Sequence, residues 1–410
     1  MTPSPTYQYH QFANGIRLIF RRTHSAVAYS GVYINIGSRD EQGPTEGIAH
    51  FIEHSLFKGT THRRAYHVLS RIDGVGGELN AFTTKEETCI YASSLNEHLD
   101  RCLELFSDVL FCSTFPDHEL EKEKDVVLDE IDSYRDSPSE LIYDQFEELA
   151  FEGHPLAHNI LGTKTTVRHF TADAVRRFFN SRYTTDRMVV SVVADIEWPR
   201  LVRLCERHFA DHPLRTSEAD RSAQPHFKPF CRTVGRRTHQ LHALVGCQAP
   251  HIFSPDRTAF TLMSNLLGGP AMNSRLGLAL RERHAYCYTV ESQYVPFSDT
   301  GLFYVYAGLE SGYGQQATEL IMNELTTLAT TPLSDRQLRA AKRQLIGQMA
   351  VGQDQGMNEM QSIGKARLNY DRVDTLEEMA RDVEAVSATQ IQELAKHLFV
   401  PDAMAALYYK

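Results

Sequence analysis

The chain is 410 residues long, with 42% apolar and 23% charged residues. This is globular composition, and it excludes a disordered tract or a fibrous repeat. Lys and Arg number 42 against 52 Asp and Glu, a formal charge of −10, so the overall field attracts neither nucleic acid nor an anionic membrane.

The first fifteen residues carry neither the basic start and apolar stretch of a secretory signal nor an Arg-rich amphipathic pattern. No apolar run reaches the ~18 residues of a membrane span. Seven cysteines are scattered without a CxxC pair. Reduced thiols in a cytoplasmic protein are expected.

Residues 15–20 and 27–36 read as strands, the second rich in β-branched and aromatic side chains. A helical stretch covers about 45–57. Residues 74–95 hold a Gly-rich turn and two strand-like runs. Long helical patterns occupy about 96–111, 117–135 and 139–151, and a helix-then-strand unit runs from Thr171 to Ile196.

Residues 213–228 are polar and lack a hydrophobic period, which marks a linker. It divides the chain nearly in half, and the halves share a pattern. FTADAVRRFFNSRYTTDRMVVSVV (170–193) aligns with VSATQIQELAKHLFVPDAMAALYY (386–409) at an offset of 216 residues (402 − 186). Thr171 and Ser387 fall where helix N-caps belong. Two homologous α+β domains are expected, 1–212 and 229–410. Each is read as a mainly antiparallel sheet with helices packed on one face.

The helix at 45–57 contains His50-Phe51-Ile52-Glu53-His54. At about 100° per residue, His50, Glu53 and His54 share one face, with the imidazoles a turn apart. This geometry suits two nitrogen ligands on one Zn²⁺ with a carboxylate beside it. For this composition, ~0.06 chance HxxEH strings are expected per chain, so the motif is a signal. A catalytic zinc needs a third protein ligand. The acidic helix at 117–135 offers Glu119, Glu121, Glu123, Asp125, Asp129, Glu130 and Asp132, and composition does not choose among them.

HFIEH followed 76 residues later (130 − 54 = 76) by the last Glu of EKDVVLDE resembles the M16 (pitrilysin, inverzincin) metallopeptidases. The likeness spans the chain and is closest to the short two-domain type, which includes mitochondrial processing peptidase beta subunits. The resemblance implies one Zn²⁺ per chain on His50, His54 and Glu130, with Glu53 as general base and Glu123 supporting the ligands. It implies that LNAFTTKEETCIYA (79–92) includes an edge strand on which Asn80 and Ala81 hold an extended peptide by its backbone.

In GGPAMNSRLGLALRERHAYCYTV (268–290), Arg281 and Tyr288 occupy the positions of a pair that grips substrate, although His284 stands where the family has glycine. At the offset of 216, His50 maps to Leu266, so the second half is a zinc-free copy. The resemblance further implies a clamshell chamber that admits peptides and unfolded segments. It would be formed by a homodimer with sites completed in trans, or by a heterodimer with a sister chain. General peptide degradation, processing of a specific precursor, and a non-catalytic structural role are the alternatives. A purely structural zinc would favour four closed ligands, often cysteines, and none lies near the motif.

Overall fold

The structure, a computed structural model, describes residues 7–217, 221, 223–236 and 238–410. Within the expected linker 213–228, residues 218–220 and 222 lie outside the described residues, as do residues 1–6 of the N-terminal stretch. Two sheets form. The first contains β1 (Tyr7–Gln11), β2 (Arg17–Arg22), β3 (Val27–Ile34), β4 (Glu78–Thr83), β5 (Thr88–Leu95) and β6 (Met188–Ala194), in the spatial order β1-β2-β6-β3-β5-β4. The second contains β7 (Cys231–Val234), β8 (Leu241–Ala249), β9 (Cys287–Pro296), β10 (Gly301–Leu309) and β11 (Ala405–Tyr409), in the order β7-β11-β8-β10-β9.

The helices of the first half are α1 (Ile48–Ser55), α2 (Ala65–Asp73), α3 (Leu99–Phe111), α4 (Asp117–Arg135), α5 (Pro138–Ala150), α6 (Lys164–His169), α7 (Ala172–Arg182) and α8 (Trp198–Cys205). Those of the second are α9 (Arg257–Gly268), α10 (Gly314–Thr330), α11 (Asp335–Gln353), α12 (Gly356–Tyr370), α13 (Leu376–Ala385) and α14 (Ala388–Leu398).

Without β1, the two sheets have one plan. β6 runs parallel to β2 and antiparallel to β3, as β11 runs parallel to β7 and antiparallel to β8. The paired helices start alike. The Thr171 hydroxyl accepts the Ala174 N–H ahead of α7, and the Ser387 hydroxyl accepts the Gln390 N–H ahead of α14. The short 3-10 turns that follow, Thr185–Arg187 and Pro401–Ala403, keep the 216-residue offset (401 − 185).

Each sheet is apolar on both faces. Every residue of β6 and β10 is buried. A strand with two buried faces needs cover on both, and here the second cover comes from the other half of the sequence. Met360 and Ile363 of α12 pack on Ile19, Tyr33, Val189 and Val193 of the first sheet. Ile142 and Phe146 of α5 pack on Leu244, Leu302, Tyr304 and Leu407 of the second. The α12 contact is close: a Cβ on Gly364 would lie 2.6 Å from the Tyr33 ring. The compact units are therefore discontinuous. Among the described residues, one comprises those within 1–132, 158–222 and 351–375; the other comprises those within 133–157, 223–350 and 376–410.

Candidate metal centre

α1 is a short helix sunk into the first unit, with Ile48, Ala49, Phe51 and Ile52 fully buried. Gly47 starts it at φ +89°, where a Cβ would come within 2.6 Å of the Leu161 carbonyl oxygen. Glycine alone meets both demands. The buried Glu41 carboxylate accepts the Gly47 and Ala49 N–H groups at 2.6 and 2.7 Å. It thereby satisfies donors that a helix start leaves without partners.

α4 brings up the third element of the site. Its buried side chains are Leu120, Glu123, Val127 and Ile131, a helical stripe in which Glu123 takes an apolar position. Glu130 lies beside that stripe. Its Oε2 is 3.7 Å from His50 Nε2 and 3.5 Å from His54 Nε2, and it has no hydrogen-bond partner among the described residues. The two imidazole rings are 4.5 Å apart. Tetrahedral ligands at zinc distances are about 3.3 Å from one another. Two imidazole nitrogens and an orphaned carboxylate oxygen at this spacing fit one zinc-like ion.

The electrostatics sort the four groups. Burial, with help from His54, holds His50 down to about 3, so its lone pair is available at neutral pH. For His54 burial acts downwards, but the Glu123 hydrogen bond and the nearby Glu53 and Glu130 charges raise it. Glu123 Oε1 meets His54 Nδ1 at 2.8 Å, and Lys58 Nζ meets Glu123 Oε2 at 2.6 Å. Those two contacts outweigh burial and keep Glu123 below the usual carboxylate range. Burial raises Glu53, against the pull of the Thr83 hydroxyl and His54. Glu53 Oε2 has no partner among the described residues.

β4 is the edge of the first sheet, paired with β5 alone, and α1 packs against it. Asn80 is exposed there, and its side-chain oxygen accepts the Ala81 N–H at 2.8 Å. The strand that supplies Thr83 beside Glu53 therefore also carries Asn80 and Ala81.

Arg281 and Tyr288 belong to the second unit. Tyr288, 74% exposed, lies on β9, the edge of the second sheet as β4 is of the first. Arg281 pairs with Glu282 at 2.8 Å. Its charge also bears on Cys287, whose thiol burial pushes up to about 11. The departure at His284 has a structural counterpart. His284 Nδ1 meets the Ala279 carbonyl oxygen at 2.7 Å, and the left-handed turn falls on Ala285 at φ +53°. Leu266 lies on α9, and among the described residues the three-residue groups able to hold a metal are in the first unit.

Lys58, Thr83 and Glu41 are the site residues that sequence reasoning missed. Lys58 lies in the turn beyond α1 and pairs with Glu123, so no helical spacing ties it to His54. Thr83 acts across the fold, and Glu41 acts from a loop six and eight residues ahead of the N–H groups it accepts, where no helix or strand period marks it.

Residues 17–164 match the family described as Insulinase (Peptidase family M16), and residues 169–345 match the Peptidase M16 inactive domain. The chain is 32% identical over 395 residues to an uncharacterized zinc protease of Bacillus subtilis, covering 96% of each. The chain belongs to peptidase family M16. A second uncharacterized zinc protease, from Mycobacterium leprae, is 33% identical over 94% of this chain and 87% of its own length. In fold, this M16 chain matches a Helicobacter pylori protease at a TM-score of 0.92 with 20% identity, covering 99% of this chain and all of the other. It also matches a Pseudomonas fluorescens peptidase M16 inactive domain at 0.88 with 18% identity, covering 98% of each. Both likenesses confirm the α+β two-domain architecture. No helix among the described residues is long and apolar enough to cross a membrane.

Proposed function

We propose that this M16 chain is a zinc metalloendopeptidase acting on peptides and unfolded segments. The convergence of His50, His54 and Glu130 beside the buried Glu53 carries the reading. The names of its zinc protease relatives support it. A zinc ion on this set would polarise the scissile carbonyl and acidify a water. Glu53 takes a proton from the attacking water and delivers it to the leaving amine; its burial suits a base that must also act as an acid. Glu123 holds the His54 ring in orientation through Nδ1.

The open edge of β4, with Asn80 and Ala81, binds the peptide through main-chain hydrogen bonds, so specificity is broad. Arg281 and Tyr288 hydrogen-bond substrate carbonyls or the developing oxyanion. They do so from a second copy, in a homodimer whose two sites are built in trans around an enclosed chamber.

The test is digestion of an unstructured peptide of mixed sequence, with fragments read by mass spectrometry. Wild type should cleave in a chelator-sensitive way. Glu53→Gln should retain bound zinc and lose about 10²–10⁴-fold in rate. Cleavage at the wild-type rate by that variant removes Glu53 from the role of base.

A further inference from the structure

A second group of metal-ligating side chains lies in the first unit, apart from the site described above. His62, Asp108 and Cys112 each offer one donor atom, and the three atoms lie within 4.8 Å of one another. Asp108 is in the last turn of α3. Cys112 follows one turn later, its N–H donating to the Asp108 carbonyl at 2.8 Å. Residues four apart share a helix face, so the carboxylate and thiol point the same way.

His62 arrives on the turn between α1 and α2. That turn is pinned to α3: the Thr61 N–H donates to the Cys112 carbonyl at 2.9 Å, and Thr60 bridges to Ser113. Asp108 is already oriented. Its Oδ2 accepts from the Thr60 hydroxyl at 2.8 Å and from Arg63 at 2.6 Å, which turns Oδ1 to His62 Nδ1 at 2.6 Å. Arg63 does not leave excess positive charge. It shares Glu104 with Arg71, so two arginines face two carboxylates.

We propose that His62, Asp108 and Cys112 form a second, non-catalytic site for a zinc-class divalent ion. The donors are one nitrogen, one sulfur and one carboxylate oxygen. This borderline set suits Zn²⁺ and its neighbours, and it excludes Mg²⁺ and Ca²⁺, which prefer oxygen throughout. Binding releases the thiol proton of Cys112, and the resulting thiolate supplies the charge that meets the cation. The His62 side chain is 64% exposed. It can turn to replace its hydrogen bond to Asp108 with a metal bond, leaving the outer position to water. The ion would clamp the turn after α1 to the end of α3, and that turn carries Lys58, the partner of Glu123.

The catalytic set contains no sulfur, so Co²⁺ distinguishes the two sites. Metal-free full-length protein is titrated with Co²⁺ and followed in the near ultraviolet, where only a thiolate ligand produces sulfur-to-cobalt charge transfer. Two equivalents per chain and a charge-transfer band are expected for wild type. Cys112→Ser and the surface variant His62→Ala should each lose the band and one equivalent. His50→Ala should keep the band while losing the other equivalent. A wild-type titration without the band, or a band that survives both Cys112→Ser and His62→Ala, overturns the proposal. A single equivalent in wild type, with the band intact and the stoichiometry unchanged in His50→Ala, would count against the peptidase reading alone.

Discussion

Glu123 shows how one side chain tunes another. Packed among Leu120, Val127 and Ile131, it is 4% exposed, yet it holds both His54 and Lys58. A buried carboxylate is tolerated because both oxygens are paired. Glu123→Gln keeps the shape but removes the charge that orients and raises His54. Zinc affinity should fall about 10–100-fold, measured by competition with a chromophoric chelator. The same pair sets a pH dependence. His50, held near 3, carries no proton that competes with metal in the neutral range. His54, held above its ordinary value, does. As pH falls through the His54 titration, the proton wins the nitrogen, and metal affinity should drop about tenfold per pH unit. Equal affinity at pH 6 and pH 8 would show that no proton competes with the metal for His54 in that range.

At the scale of elements, the two halves repeat a device rather than a set of residues. α7 and α14 open on the hydroxyls of Thr171 and Ser387, each accepting the N–H three residues on. Thr171→Ala and Ser387→Ala should each cost about 1 kcal/mol in chemical denaturation, because each orphans a helix N–H. These caps, the helices after them and the strands β6 and β11 were legible from polar cap, apolar period and the apolar run that follows, β-branched in β6 and aromatic-ended in β11. The HxxEH face of α1 was legible for the same reason, since helical geometry alone aligns residues four apart. The choice of Glu130 was not. Eight carboxylates on α4 share the right chemistry, and the resemblance to the family pointed to one. The structure shows the physical reason: the Leu120–Val127–Ile131 stripe fixes the helix rotation, and Glu130 is then the carboxylate against both imidazoles.

At the scale of the whole molecule, the trans arrangement proposed above makes a prediction that no single-chain site shares. Glu53→Gln and Arg281→Ala should each be inactive alone. Mixed under conditions that exchange subunits, they should recover activity, because each heterodimer contains one site with Glu53 from one chain and Arg281 from the other. No recovery, with exchange verified, would place both residues in one chain's site.

The exchange of α5 and α12 was invisible in the sequence. α5 reads as a helical pattern at 139–151, α12 was not singled out, and an apolar stripe does not name the sheet it covers. What the sequence by itself determined is what local geometry controls: the caps, the strand and helix periods, the aligned His50, Glu53 and His54, and the doubling of one plan. Tertiary structure alone decided which half's helix covers which sheet, which carboxylate meets the imidazoles, and how Lys58 and Thr83 reach the site. Those outcomes depend on packing between segments far apart in the chain, where many partners of equal chemistry compete and only shape and burial choose.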